Sequence, residues 1–443
     1  MTDTPSHLSS PPETQSCCSA RHHAAGQDVP LIKVPEALDL LKVMVRPILE
    51  QQSRPLGKAL GHVLAQALTS HVPLPINDNS AVDGYAIRLS ALKQAPLDHD
   101  MRSLPIAGRI AAGNDISHIP SDAVCVRILT GASVPVWADS IIMQEDTQLS
   151  EDGNFASFSE LPTQGSNIRR QGEDVPQRSV IIEKGARIDT RHIAIAAASG
   201  NAQLPVVRPI RVALLATGSE LNHPGADLPP GGIYDSNTPM LTALLSRANI
   251  DLTIHHMVQD KFETIRDTLS HLAENNDLLV TSGGMSVSDE DYIHRAITAI
   301  SGTFEVHKLR LKPGKPLGFG KVKNCVFIGL PGNPFAALVG FLLFGTAALD
   351  ALAGISSKPA PMQGEADFTT PNGGTRLEFV PVRISGTSEN GLPKLDKIGR
   401  GGSARLRPLI EADGLAALPI ANQGIAKGDR LDFYEFHCAF ELG

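Results

Sequence analysis

A chain of 443 residues, 42% of them hydrophobic, exceeds what one hydrophobic core organises, so several domains are expected. A formal net charge of −8, four Tyr and one Trp argue against a nucleic-acid partner, because no basic stripe interleaved with aromatic residues occurs. The five cysteines (Cys17, Cys18, Cys125, Cys325 and Cys438) form no CxxC pair, which points away from a disulfide framework or a zinc or iron–sulfur cluster and towards a reduced cytoplasmic compartment.

In chain order, residues 1–30 hold Ser, Pro, Thr and His without a basic stretch leading into an apolar one, so a disordered tail is expected rather than a secretory signal. Its His22-His23 pair reads as chance rather than a metal site. Residues 35–49 carry apolar side chains at helical spacing, and Leu38, Leu40, Leu41, Val43, Met44 and Val45 predict a broad buried face. A second helix is expected over 57–67. From 73 to 171 short apolar runs broken by Gly, Pro, Asp and Asn predict a β-rich module. Residues 176–208 return to an extended element followed by an Ala-rich helix at 192–198. Strand and helix patterns alternate from 208 to 355 in the βαβ manner. The apolar run 335–349 falls short of the ~20 residues a bilayer requires and contains Gly340 and Gly345, so a buried helix is expected and no membrane contact. Residues 359–364 read as a linker, and the short strands and Gly-rich turns beyond predict a small β barrel. No internal repeat occurs.

Three turns in the α/β segment carry chemistry. Gly329-Leu330-Pro331-Gly332-Asn333-Pro334 joins an apolar strand to the long apolar helix, with Gly332 suited to a positive φ, Asn333 to the N-cap and Pro334 to the first helical position. Free N–H groups and the helix dipole at such a terminus favour an anion, although one such turn alone serves equally as a plain strand-to-helix connection. Thr217-Gly218-Ser219-Glu220 follows the apolar run from Arg211, and Thr281-Ser282-Gly283-Gly284-Met285-Ser286 follows the run from Asp277. All three lie just past a strand's carboxyl end, where open α/β sheets bind ligands. A loop with Lys308, Arg310, Lys312 and Lys315, bent by Pro313 and Gly314, adds charge suited to a polyanion. A Lys-rich loop by itself is usually a solvated face.

In this order, the turns from Arg211 to Gly345 resemble the molybdopterin-binding domain shared by molybdenum-cofactor biosynthesis enzymes. Asn79-Ser80-Ala81-Val82-Asp83-Gly84-Tyr85-Ala86-Ile87, the stretch Thr130-Gly131-Ala132-Ser133 with Pro135, and Arg169-Arg170 with Gly172-Glu173-Asp174 are similar to the N-terminal signatures of the molybdopterin molybdenumtransferase (MoeA) family, related to the gephyrin E domain. The resemblance runs from about Val34 to the C-terminus. It implies an α/β plus β multidomain fold: an elongated dimerisation domain in two parts (31–75 and 172–207), an inserted β-rich module (76–171), a three-layer molybdopterin-binding α/β domain (208–358) and a C-terminal β barrel (359–443).

The activity it implies is insertion of molybdenum from molybdate into adenylylated molybdopterin with release of AMP. The implied partners are a second copy of the chain in an extended homodimer and the molybdopterin adenylyltransferase for hand-over. Mg²⁺ is the implied ion, since hard oxygen ligands and phosphate suit it. Asp277, Asp291 and Glu220 are expected at or near the pocket turns, where carboxylates hold Mg²⁺ against a pyrophosphate or position a water. For Asp277, just before its strand, a capping or salt-bridged carboxylate is the alternative. Thr217, Gly218, Ser219, Ser282, Gly283, Gly284 and Ser286 offer hydroxyl and backbone donors; Lys308, Lys312 and Lys315 face the phosphates or molybdate. The resemblance assigns catalysis to Asp83, Thr130, Arg169 and Asp174, and molybdate to Arg376 and Ser403, a guanidinium fork suiting a tetrahedral oxyanion. Three residues depart from the family pattern: Ala336 where Ser is common, Ser288 where Gly is common, and Ser219 where Asp is frequent. The rival functions are a protein that only binds or adenylylates molybdopterin and a non-catalytic scaffold. The Asp83 module and the C-terminal barrel argue against the first; nothing in the sequence marks a scaffold's peptide site.

Overall fold

The computed structural model describes residues 31–258, 261–283, 292–355, 360–371, 374–399, 402, 404–420 and 424–436. Residues 1–30, Gly284, Ser286, Ser288, Asp291, Pro359, Ser403 and Cys438 lie outside them.

Every residue of strand Ile210–Thr217 except Arg211 is buried. A parallel strand covered on both faces needs such a continuous apolar run. It lies inside a six-stranded sheet in the order Ile250–Val258, Ile210–Thr217, Leu278–Ser282, Cys325–Leu330, Pro316–Val322, Thr303–Lys308. The first four strands are parallel, Pro316–Val322 runs antiparallel to them, and Thr303–Lys308 pairs antiparallel with Pro316–Val322. Leu241, Leu244, Phe335, Phe341 and Phe344 cover one face from helices Asn237–Leu245 and Pro334–Ala353. Ile265, Leu269, Ile293 and Ile297 cover the other from Phe262–Asn275 and Tyr292–Ala299. The result is a three-layer α/β/α domain. Pro334–Ala353 has the 20 residues of a bilayer span, longer than the apolar run suggested, but 72% of its most apolar stretch is buried inside the protein. Its middle turn, Phe341–Gly345, is a π-helix, and the Phe341 ring occupies the space a Cβ at Gly345 would take, 2.4 Å away.

Before this domain, strands Gln51–Pro55 and Gln203–Val207 pair antiparallel, as do Leu68–Thr69 and Val180–Ile182. Leu64, Leu68, Ile182, Ile188, Ala196 and Leu204 form one core from chain on both sides of the β-rich stretch. Helix Thr190–Ala198 begins two residues earlier than expected, because the Asp189 carboxylate caps it by accepting from the Arg191 and His192 N–H groups. The β-rich stretch is built around strand Gly84–Ile87, between Cys125–Ile128 and Ser140–Met143. Both of its faces are covered, one from Ala86, Val126 and Ile141 and the other from Tyr85, Ile87 and Phe158.

Two expected helices differ. Residues 57–67 form only a 3₁₀ turn, Leu56–Lys58, because Gly61 takes φ 77° and the chain beyond bonds across to Ile188 and Ala186 instead of to itself. The first helix is Val34–Met44, and its buried residues are Val34, Ala37 and Leu41. Leu40 and Val43, expected inside, are 54% and 88% exposed, since a step of ~100° per residue turns them away from that face. This helix buries its apolar face against the α/β domain, in one core with Phe341 and Leu349.

The C-terminal strands Leu377–Thr387, Pro393–Lys397, Met362–Ala366, Arg430–Glu435 and Gly414–Leu418 pair in that order, and the first pairs again with the last. They close a five-stranded barrel around Val380, Val382, Leu395, Leu431 and Phe433. Part of the expected linker, from Met362 onward, is therefore strand. Phe379, Leu415 and Ala417 point out of the barrel into the α/β core.

Candidate active site

Three turns meet at the carboxyl edge of the α/β sheet. A Cβ at Gly283 (φ 94°) would lie 2.7 Å from the Thr217 carbonyl oxygen, and one at Gly332 would lie 3.9 Å from Gly283 Cα. The backbone N–H of Gly283 donates to Leu330 O at 3.2 Å. Thr217 and Ser282 are 5% and 4% exposed. The Glu220 carboxylate folds over Gly218, where a Cβ would be 2.8 Å from Oε2. Asn333 is the N-cap and Pro334 the first helical residue, as expected, though the Asn333 side chain makes no capping bond. Gly332 departs from expectation, because its φ is not positive and the space around it admits a Cβ. The left-handed conformations fall on Gly218 and Gly283.

Asp235 and Asn237 join the turns. Asp235 Oδ1 accepts from Thr238 N–H at 3.0 Å and so fixes the start of helix Asn237–Leu245. Asn237 Nδ2 donates to Ser282 Oγ and to Gly332 O, both at 2.8 Å. The sequence marks these two residues only by Asp-Ser-Asn at the start of an apolar helix, a signal that does not single them out as site residues.

The basic loop abuts this edge. A Cβ at Gly314 (φ 108°) would be 3.8 Å from Ala336 O, in the first turn of the Pro334 helix. Leu311–Lys312 pairs in parallel with Leu377–Glu378 of the barrel, and Leu377 N–H donates to Arg310 O at 2.8 Å. On its other side Ile32 N–H donates to Lys308 O at 3.1 Å. Arg376 Nη1 reaches Leu311 O at 3.5 Å, so Arg376 stands beside the loop carrying Lys308, Lys312 and Lys315. Lys312 pairs with Glu378 at 2.9 Å instead of standing as a free cation.

A second group lies in the inserted module. The Asn79-Ser80 strand pairs with Ile168-Arg169 and bridges to Ser133, so the three N-terminal signatures converge. Thr130 donates its hydroxyl and its backbone N–H to Asp83 Oδ1, each at 2.7 Å. These two bonds hold the Asp83 carboxyl below the ordinary carboxylate range, so it is a fixed anion at neutral pH and a weak base. Arg169 and Asp174 are exposed nearby, Asp174 N–H donating to Leu74 O at 3.1 Å. Among the described residues no hydrogen bond of Asp83 or Thr130 reaches the α/β domain.

Family models match along the chain: the MoeA N-terminal region (domain I and II) over residues 32–200, a probable molybdopterin binding domain over 213–351, and the MoeA C-terminal region (domain IV) over 363–436. The molybdopterin molybdenumtransferase of Haemophilus influenzae is 33% identical over 384 residues, 86% of this chain and 93% of the relative. Molybdopterin molybdenumtransferase 2 of Mycobacterium tuberculosis is 32% identical over 390 residues, 86% of this chain and 94% of the relative. The crystal structure of the molybdopterin biosynthesis moeA protein from Pyrococcus horikoshii OT3 superposes with a TM-score of 0.76 at 26% identity, over 91% of this chain and 99% of that one. The chain belongs to the MoeA family of molybdopterin molybdenumtransferases. It is an enzyme of molybdenum cofactor biosynthesis.

One expected site residue of this MoeA-family chain lies elsewhere. Asp277 precedes its strand at the amino edge of the sheet, level with Arg211, whereas the pocket turns follow the carboxyl edge, roughly 15 Å away at ~3.3 Å per residue. Its carboxylate accepts from Arg208 Nη1 at 2.6 Å, Arg208 Nη2 at 3.0 Å and Arg211 N–H at 2.8 Å. Burial pushes its pKa up, and the hydrogen bonds from Arg208 and Arg211 outweigh burial and leave it low. The salt-bridged alternative holds, and Asp277 is neither a metal ligand nor a catalytic group at this pocket. Among the described residues no group of three or more His, Cys, Asp or Glu is placed to hold a metal.

Proposed function

We propose that this protein takes molybdate and adenylylated molybdopterin, inserts molybdenum at the dithiolene sulfurs, and releases AMP as water cleaves the adenylyl bond. The observation that carries this reading is contiguity: Gly314 of the basic loop packs against the Pro334 helix start while the same loop forms a strand with the barrel beside Arg376. A pterin phosphate at the three turns and a molybdate at the barrel edge then share one charged loop. Donors at the pocket are the Thr217 and Ser282 hydroxyls and the N–H groups of the first turn of the Pro334 helix. Lys308 and Lys315 supply point charges, and Arg376, with Ser403, takes the molybdate oxygens. Asp83, a fixed anion, orients water or a hydroxyl rather than abstracting a proton.

Asp235 is buried and accepts from the Thr238 N–H, so Glu220, which folds over Gly218, is the carboxylate that would hold Mg²⁺ together with ligand phosphates, and the ion would supply charge neutralisation at the phosphates. Because the Asp83 group makes no hydrogen bond to the pocket among the described residues, we assign it to the pocket of a second copy in a homodimer. A cytoplasmic location accords with burial of the apolar helix, and the adenylylated substrate calls for hand-over from a molybdopterin adenylyltransferase. The test is direct: purified protein given adenylylated molybdopterin and molybdate should release AMP and yield product that activates an apo-molybdoenzyme. AMP release without activating product, or no release, overturns the proposal.

A further inference from the structure

Turns from separate strands act as one anion-binding surface only if their spacing is fixed. Backbone bonding between the second and third turns includes the Gly283 N–H to Leu330 O contact at 3.2 Å, which leaves the ends of the loops to side chains. Asn237, 7% exposed, supplies the tie with a single nitrogen that donates to Ser282 Oγ and Gly332 O. Two donors on one atom at this reach require a primary amide; a carboxylate offers none and a hydroxyl one.

The first turn is coupled to the same residue through a short ribbon. Ile233 N–H donates to Glu220 O and Asp235 N–H to Asn222 O, both at 2.9 Å, so the chain from Glu220 returns to Asp235 directly before the helix that begins at Asn237. The other end of the amide is left over. Asn237 Oδ1 is buried and has no hydrogen-bond partner among the described residues. A buried acceptor without a partner costs free energy, so a residue kept only for packing is poorly accounted for.

We infer that Asn237 is a positioning residue for the adenylylated pterin: its amide holds the Ser282 and Gly332 turns at the separation the phosphate requires. The inference rests on the pterin pocket proposed above and adds a residue and its role to it. Asn237→Ala should weaken AMP binding, followed by calorimetric titration, and raise KM for the adenylylated pterin by roughly tenfold to hundredfold, the loss of two hydrogen bonds. KM for molybdate and the melting midpoint should stay near those of the parent. Asn237→Asp distinguishes positioning from bulk. Its carboxylate repels the Gly332 carbonyl at neutral pH, whereas the protonated acid regains one donor, so kcat/KM should rise as pH falls, a limb absent from the parent profile.

Parent-like AMP binding and pterin KM in Asn237→Ala would overturn the inference. So would equal loss of pterin and molybdate affinity with a lowered melting midpoint, or a flat acid limb in Asn237→Asp. A parent protein that turns over but does not bind AMP sinks the positioning role alone, whereas one that does neither removes the pterin pocket as well.

Discussion

Asp83 and Asp277 show how partners decide what a carboxylate does. Asp83 is held by one residue, Thr130, at an exposed site, leaving its second oxygen for a ligand. Replacing Asp83 by Asn keeps the volume and deletes the charge. AMP affinity should be retained within about threefold while turnover falls by roughly 100-fold or more, as for other acid–base and water-positioning groups; steady-state kinetics with titration calorimetry separates the two. Asp277 is engaged on both oxygens by Arg208 and Arg211 and is only 12% exposed. Asp277→Asn removes the charge-assisted bonds to Arg208 and Arg211, leaves Arg208 paired, among the described residues, only with Glu50 at 2.7 Å, and should cost ~1.5–3 kcal/mol of stability with turnover per folded molecule unchanged. Because the folded pKa of Asp277 is depressed, its stabilisation is fully present above the unfolded value of about 3.9 and is lost as pH falls through the folded value. Denaturant unfolding at pH 7 and at pH 3 should therefore show the gap between parent and Asp277→Asn narrowing in acid.

At the scale of elements, the strand-turn-helix units were legible because each states itself locally. An unbroken apolar run, small residues at its end and Pro334 at a first helical position need no knowledge of the rest of the chain. The 57–67 segment misled for the opposite reason, its apolar spacing being overridden by cross-chain bonds to Ala186 and Ile188 that local sequence does not contain. Likewise the Lys312–Glu378 pair and the Leu311–Leu377 ladder join residues 66 positions apart, and only resemblance to a family pointed there at all. The placement of Asp277 was recoverable, since a residue preceding a parallel strand stands at the amino edge by strand polarity alone. The loop-to-barrel ladder has a measurable role. Leu377→Pro removes the N–H that binds Arg310 O, and should raise KM for molybdate and for the pterin together by about tenfold, because both anions draw on the loop it steadies. A change in one KM alone would disconnect the ladder from the site.

At the scale of the whole molecule, the Asp83 group and the Lys315 loop belong to different domains, with no hydrogen bond between them among the described residues. If a homodimer brings them together, each site uses both copies. Mixing inactive Asp83→Asn and Lys315→Ala proteins under conditions of subunit exchange should restore about a quarter of all sites, because half the dimers are mixed and each has one intact site. Activity that stays at the level of the separate variants, while differently tagged subunits co-purify, would place each site within one chain.

The outward-pointing Phe379, Leu415 and Ala417 carry a different consequence, for how the protein comes apart. They share one apolar cluster with Val34, Leu41 and Phe341, whereas the cores around Ala86 and Tyr85 draw only on residues between 82 and 168. Cooperative melting follows shared cores rather than position along the chain. Scanning calorimetry should resolve one transition for the inserted module and a second in which the first helix, the α/β layers and the barrel are lost together. Phe379→Ala, at ~3–5 kcal/mol, should move only the second. The barrel is made after the α/β layers during synthesis, so those layers reach their full thermal resistance only once the barrel strands have left the ribosome and closed on them.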